Sequence, residues 1–247
     1  MPAFIAFWNC TLVDGWQRKR FDERLTALAS AVFTAEVEMR MRMTNINSTW
    51  IFVASEYAFA GVDRDAPKPA EHVSTETERE LLNEMARLTR DYRNLLLAPG
   101  SIPVRDENLA RNSAHAYFGG HPVWRVDKCV GVGEVTPQEA ATRTLIFRPG
   151  LGYASAEVDN VRYGAEICRD STGSGTLPGP VQRHIVVGQG VGVGPGKDYI
   201  CNKATELLIV ADPGAFGVYN CSTRPKTPIR SCGNETVLGC KLHYFVA

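Results

Sequence analysis

Apolar positions along the chain fall either into short unbroken runs or into longer periodic ones, and the change from one to the other predicts both strands and helices. Residues 3–8 form an apolar run suited to a buried strand. Phe21, Leu25, Leu28, Val32, Ala35 and Met39 then recur at helical spacing and predict a helix over 21–43. Residues 49–54 are rich in β-branched and aromatic side chains and predict a second buried strand, which stops at Ser55 and Glu56. A polar, proline-bearing loop covers 61–73. Thr75 and Glu78 have capping-box spacing, and Leu81, Leu82, Met85, Leu88 and Tyr92 give the following helix its buried face. Residues 94–98 supply another strand.

From Asn112 onward the pattern changes. Residues 113–117, 122–126, 144–147, 153–158 and 161–168 are short strand-like runs split by glycine-containing turns, so α/β units are expected to give way to β-hairpins. Residues 206–211 and 237–246 predict two more strands. The glycine-rich stretch 185–197 looks at first like a phosphate loop. That pattern needs glycine where Val191 stands and a hydroxyl residue where Asp198 follows Lys197, so its glycines are read as turn residues. There is no internal repeat and no linker-like segment.

Composition narrows the class. The 247 residues are 44% hydrophobic and 22% charged, enough for one sizeable core, and a single domain spanning 1–247 is expected. Twenty-seven basic residues balance twenty-seven acidic ones, which leaves no net field toward nucleic acid or an anionic membrane and favours a small, weakly charged substrate. The opening residues lack the cationic start of a signal peptide, and no apolar window is long enough to span a bilayer, so a soluble, cytoplasmic protein is expected. Seven cysteines, an odd number without a CxxC pair, suit free thiols. The four beyond residue 200 read best as small buried residues, with a disulfide or metal as the alternative. His115, His121 and His184 lack metal-ligand spacing and read as strand or turn residues.

Three strand ends carry candidate chemistry. Cys168 closes the run 161–167 and is followed by the polar turn Arg169-Asp170-Ser171, a junction that holds a nucleophile at a sheet edge. Glu56 ends a strand without other charges; held against Trp50, Phe52, Tyr57 and Phe59 it could serve as a general base, and its plainer reading is a surface glutamate. Lys128 ends the run 123–127, where its ammonium could lower a thiol pKa and stabilise an oxyanion, or simply face water. Asp170 could fix the turn through backbone N–H groups or be an ordinary turn aspartate; Arg169 could meet an acidic substrate or solvent.

Taken in the order Glu, Lys, Cys, these junctions resemble the nitrilase or carbon–nitrogen hydrolase superfamily. The residues that carry the likeness are 52–61 around Glu56, 95–102, 111–117 and 123–128 leading to Lys128, Glu134-Val135-Thr136-Pro137, and 164–170 around Cys168. The sequence departs from the family at Ser55, where proline is usual, at Val126-Asp127, in 171–175, and in a shortened spacing from Lys128 to Glu134. The resemblance implies an α/β fold, a four-layer α-β-β-α sandwich that assembles as a homodimer or larger oligomer. One-faced helices and apolar strands agree with such layering. It also implies catalytic Glu56, Lys128 and Cys168, supported by Glu134, Arg169 and Asp170, with no metal or cofactor. The expected activity is cysteine-dependent hydrolysis of a small amide. Nitrile hydrolysis, N-acyl transfer and a non-catalytic ligand-binding or interaction protein on the same fold remain alternatives. The segment 220–247 matches nothing in the family and could cover the pocket or form a subunit contact.

Overall fold

Strands buried on both faces read as unbroken apolar runs, and the centre of the molecule is built from such strands. The computed structural model describes residues 3–11, 15–16, 19–60, 72–92, 94–131, 134–171, 180–189, 205–214, 216–222 and 227–247, the backbone alone at 169 and 171. The first half runs β1 (Phe4–Asn9), α1 (Phe21–Arg42), β2 (Trp50–Ala54), β3 (Val73–Ser74), α2 (Thr75–Asp91), β4 (Leu95–Ala98), β5 (Ser101–Asp106) and β6 (Leu109–Phe118). There follow β7 (His121–Asp127), α3 (Pro137–Thr142), β8 (Ile146–Phe147), β9 (Tyr153–Val158) and β10 (Val161–Ile167), then a 3-10 turn at Cys168–Ser171. The remainder is β11 (Arg183–Val187), β12 (Leu207–Ala211), β13 (Gly217–Asn220), β14 (Thr227–Ile229), β15 (Gly233–Val237) and β16 (Cys240–Val246).

These strands form two sheets. The first has the order β15-β16-β1-β2-β4-β6-β5-β3, with β7 and β8 also paired to β6; the second has the order β14-β13-β12-β11-β10-β9. Ile5, Phe7, Ile51, Val53, Leu96 and Ala114 pack against Tyr163, Ala165, Ile185 and Ile209 of the second sheet. The alternate residues Phe4, Trp8, Phe52 and Leu97 pack on Leu28, Val32 and Met39 of α1 and Leu81 and Met85 of α2. Helix, sheet and sheet are thus stacked in that order. No α-helix follows β10 among the described residues, so the expected second helical layer is not among them. No helix among them is long and apolar enough to cross a membrane.

Most strand and helix positions are where the hydrophobic pattern puts them, and the departures have physical causes. The expected hairpins are present as β6 with β7 and β9 with β10, whereas beyond residue 168 the pairing turns parallel, β10 with β11 and β11 with β12. The glycine-rich stretch begins as strand β11, and its part from 190 to 197 lies outside the described residues, as do 61–71 of the polar loop, 172–175 and Cys201. Ser74, not Thr75, caps α2, its hydroxyl accepting from the Thr77 N–H at 3.1 Å. Glu78 instead turns inward to Arg111 (2.6 and 2.9 Å) and to His115 (3.6 Å). Helix α1 buries Arg24 and Glu38, which a hydrophobic count passes over; Arg24 donates to the carbonyls of Lys19 and Ala60. The segment 220–247 supplies edge strands, with β16 antiparallel to β1 and β14 to β13. Of its cysteines, Cys232 is an exposed free thiol and Cys240 a buried one beside Cys10.

Two details of the first sheet set the site. The β6–β7 ladder contains a bulge: Ala116 faces Trp124 while Tyr117 faces Pro122, so Val123 is an extra residue. Gly100 has φ +94°, and a Cβ there would stand 2.2 Å from the Ser55 carbonyl oxygen, so only glycine lets β4 end against the residue before Glu56. Gly100→Ala is expected to lose about 2–3 kcal/mol of stability in urea denaturation, from the left-handed backbone and the clash together. Burial alone would raise the Glu78 carboxyl, but the bonds from His115 and Arg111 outweigh it and hold Glu78 down at about 2. A depressed carboxylate stabilises the fold above its unfolded pKa of about 4.3, and that contribution is lost as pH falls toward the folded value. Glu78→Gln should therefore cost about 2–3 kcal/mol at neutral pH, with the gap to the parent protein closing in acid melts between roughly pH 4 and 2.

Candidate functional site

Parallel strands leave a crevice beyond their carboxyl ends, and the sequence candidates collect at such ends. Glu56 follows β2, Lys128 follows β7, and Cys168 follows β10. Each is fixed by backbone. The Glu56 N–H donates to the Gly188 carbonyl of the second sheet at 3.4 Å, tying the two sheets together at the site. Lys128 is held on both sides, its N–H donating to the Asn112 carbonyl at 2.9 Å and its carbonyl accepting from Gly150 at 2.9 Å. Gly152 N–H caps Asp127 in the same way at 3.0 Å. Tyr57 and Cys168 both have left-handed backbone, φ +61° and +50°. A non-glycine residue in that region is a local strain that surrounding structure must hold in place, as at a sharp turn presenting a side chain.

The three side chains meet. Lys128 and Glu56 are each 1% exposed, and Lys128 Nζ donates to Glu56 Oε1 at 2.9 Å. The Cys168 thiol lies close enough to the Glu56 carboxylate to feel its charge, and its Sγ is 3.9 Å from the Gln189 carbonyl oxygen. Glu134 joins them: its Oε1 accepts from Lys128 Nζ, from the Tyr57 hydroxyl at 2.8 Å and from Asn112 Nδ2 at 3.3 Å. Asn112 Nδ2 also donates to Glu56 Oε1 at 2.9 Å. Glu56 is not the surface residue of the plainer reading, and Lys128 does not face water.

Asp170 does not hold its own turn. Its two oxygens accept from the N–H groups of Cys129 and Val130 at 2.8 and 2.9 Å, so the residue two after the thiol anchors the two residues after the lysine. The backbone of Arg169 lies in the same 3-10 turn as Cys168. His115 and His184 are buried strand residues beside carboxylates, His184 2.8 Å from Glu166, and His121 opens β7 on the surface.

Electrostatics follow from burial and from this crowding. Burial raises Glu56, the attraction and hydrogen bond of Lys128 lower it, Glu134 raises it again, and the net direction is upward. Burial would lower Lys128, but Glu56, Glu134 and the thiol outweigh it, so the ammonium holds its proton firmly. Burial and the Glu56 charge push the Cys168 thiol up to about 12 against the downward pull of Lys128. The lysine does act on the thiol in the expected sense, yet the net shift is the reverse, and the sulfur is protonated at rest. Such a thiol needs a base at the moment of attack, and the carboxylate whose charge acts on it among the described side chains is Glu56.

Two members of the cluster, Tyr57 and Asn112, were not picked out as site residues from sequence. Asn112 carried a signal: it shares a strand face with Ala114 and Ala116, both in the inter-sheet core, and a polar residue on an apolar face calls for a partner. Tyr57 had none beyond its place next to Glu56.

No family model matches the sequence, and no curated protein does. Solved structures do. A double mutant of the amidase from Nesterenkonia sp. AN1, in complex with acrylamide, aligns with a TM-score of 0.61 over 99% of this chain and 90% of that one, at 13% identity. The same amidase is described elsewhere as coming from the nitrilase superfamily. The fold is that of the nitrilase-superfamily amidases. A second structure of that enzyme, with the acetamide moiety of fluoroacetamide added covalently at its active-site cysteine, aligns at TM-score 0.57 and 14% identity over 99% and 90% of the two chains. A third, a mutant in complex with butyramide, aligns at 0.58 and 14% over 99% and 90%. The α/β class expected from the hydrophobic pattern is the one found.

Asp170→Ala removes the only side-chain acceptor of two N–H groups in the loop after Lys128. Hydrogen exchange at Cys129 and Val130 should quicken about tenfold or more, while exchange in β1 and β2 stays unchanged.

Proposed function

We propose that this protein hydrolyses the carbon–nitrogen bond of a small amide through a thioester on Cys168, its 247 residues acting as one hydrolase domain. The observation that carries this reading is the gathering of thiol, carboxylate and ammonium in one buried cluster, with the Glu56 charge acting on the Cys168 thiol and Glu56 bound to Lys128 at 2.9 Å. The structural neighbours add a substrate class, since the Nesterenkonia amidase has been seen with acrylamide, butyramide and a covalent acetamide moiety.

In this reading Glu56 takes the Cys168 proton as sulfur attacks the amide carbon. An ammonium has three donors; two of those on Lys128 go to Glu56 and Glu134, and the third meets the oxyanion together with the Arg169 backbone N–H. The C–N bond breaks as Glu56 returns the proton to the departing nitrogen. Water, deprotonated by Glu56, then attacks the thioester, releasing the carboxylic acid and restoring the thiol. Glu134, Tyr57 and Asn112 position Lys128 and Glu56. Asp170 positions the loop behind the lysine.

The test uses acetamide, propionamide and butyramide with ammonia release as the readout, and fluoroacetamide with intact mass. Turnover and a single adduct are expected from the parent protein and neither from Cys168→Ala; no ammonia from any amide and no adduct would remove the proposal and favour a binding protein on this fold. Because the thiol is pushed up to about 12, alkylation by iodoacetamide should quicken with rising pH through the alkaline range. Glu56→Gln removes a charge that raises the thiol, so its alkylation profile should move to lower pH while amide turnover falls at least about 10²-fold.

A further inference from the structure

The strand that carries Asn112 toward the site carries Arg111 to the opposite face, and there the structure has a cavity. It has a volume of about 500 Å³ and is lined by Asp106, Arg111, Arg125, Asp127, Arg148 and Pro149. None of these belongs to the Glu56–Lys128–Cys168 cluster. The lining is almost wholly charged, and its groups differ in what already satisfies them. Arg111 is taken up by Glu78 at 2.6 and 2.9 Å and by Ser113 at 3.2 Å. Asp127 Oδ1 accepts from Arg125 Nε at 2.8 Å and from Ser113 at 2.5 Å, which orients the Arg125 guanidinium and leaves its two terminal nitrogens to other partners. Among the described residues, no acid lies within ion-pair distance of Arg148 and no base within that distance of Asp106.

The groups with capacity to spare are therefore the guanidinium donors of Arg125 and Arg148, the Asp106 carboxylate and the second oxygen of Asp127. We propose that this cleft binds a small acidic amino acid, with its two carboxylates on Arg125 and Arg148 and its ammonium on Asp106. Guanidinium groups match carboxylates in a planar, two-pronged fashion. A molecule with only negative groups would leave Asp106 facing an anion, so the acid makes the site selective for a ligand that also carries a cation. The reading is independent of the amide chemistry, because none of its residues takes part there. A ligand in the cleft would nonetheless rest on the residues adjoining Asn112 and Lys128 in the chain, on the far side of the sheet from the thiol.

Isothermal titration of the full chain with L-glutamate tests this, with glutarate and inorganic phosphate as probes lacking the ammonium. Saturable one-to-one binding of glutamate is expected, with glutarate and phosphate at least about tenfold weaker, in line with the loss of one charged hydrogen bond. Arg148→Ala and Arg125→Ala should each weaken glutamate about tenfold or more, and Asp106→Asn should bring glutamate and glutarate to similar affinity. Arg125 and Arg148 are both exposed, so the variants should melt like the parent protein when no ligand is added. Absence of saturable glutamate binding, equal binding of glutarate by the parent protein, or undiminished binding in correctly folded Arg148→Ala would overturn the proposal.

Discussion

Lys128 carries its ammonium where only 1% of the residue meets solvent, and a charge so placed is tolerable only with opposite charge and hydrogen bonds around it. Glu56 and Glu134 provide these, and each brings a different stretch of chain to the same point: the end of β2 and the loop after β7. The dependence runs both ways, since two buried carboxylates gathered on one nitrogen would repel each other without the lysine between them. Asn112 donates to both and fills the space between. Removing the lysine would leave two carboxylates uncompensated in the interior, whereas removing either acid still leaves the ammonium one partner.

The thiol enters this arrangement through the charge of Glu56. Sulfur is a weak hydrogen-bonding group, and both burial and the adjoining carboxylate keep it protonated. The strained backbone at Cys168 and at Tyr57 places the reactive residues at sharp turns on two different sheets, with a single backbone bond from Glu56 to Gly188 fastening the sheets beside them. Rigid turns on sheet edges hold side chains more closely than long loops do, which suits chemistry that depends on proton transfer between neighbours.

Much of this was legible in the sequence. The strands ending at Ala54 and Ile167 announced themselves as unbroken apolar runs, and the residues just beyond them, Glu56 and Cys168, are in the cluster. Helix α1 ends within one residue of its expected bounds. What escaped was whatever depends on pairing across the sheets. The parallel order of β10, β11 and β12 is set by partners far apart in sequence, so local turn signals, which found the β6–β7 and β9–β10 hairpins, do not reveal it. The inward turn of Glu78 depends on Arg111 and His115, and Asp170 reaches across to the Cys129 loop, neither of which local spacing encodes. The upward shift of the thiol could not be foreseen either, because the cation beside it was visible from sequence and the depth of burial was not.

The extra residue in the β6–β7 ladder has a consequence for charge. Counting back from the hairpin with Val123 paired in the ladder would set Asp127, not Lys128, across from Asn112; because Val123 bulges out, the register shifts by one position and brings the lysine inward. Side chains alternate between faces, so the same shift turns Asp127 and Arg125 outward toward α2 and away from the thiol. Whether one residue with no chemistry of its own lies in the ladder or bulges out of it thus decides whether the interior receives a third acid or the one base that makes the other two bearable.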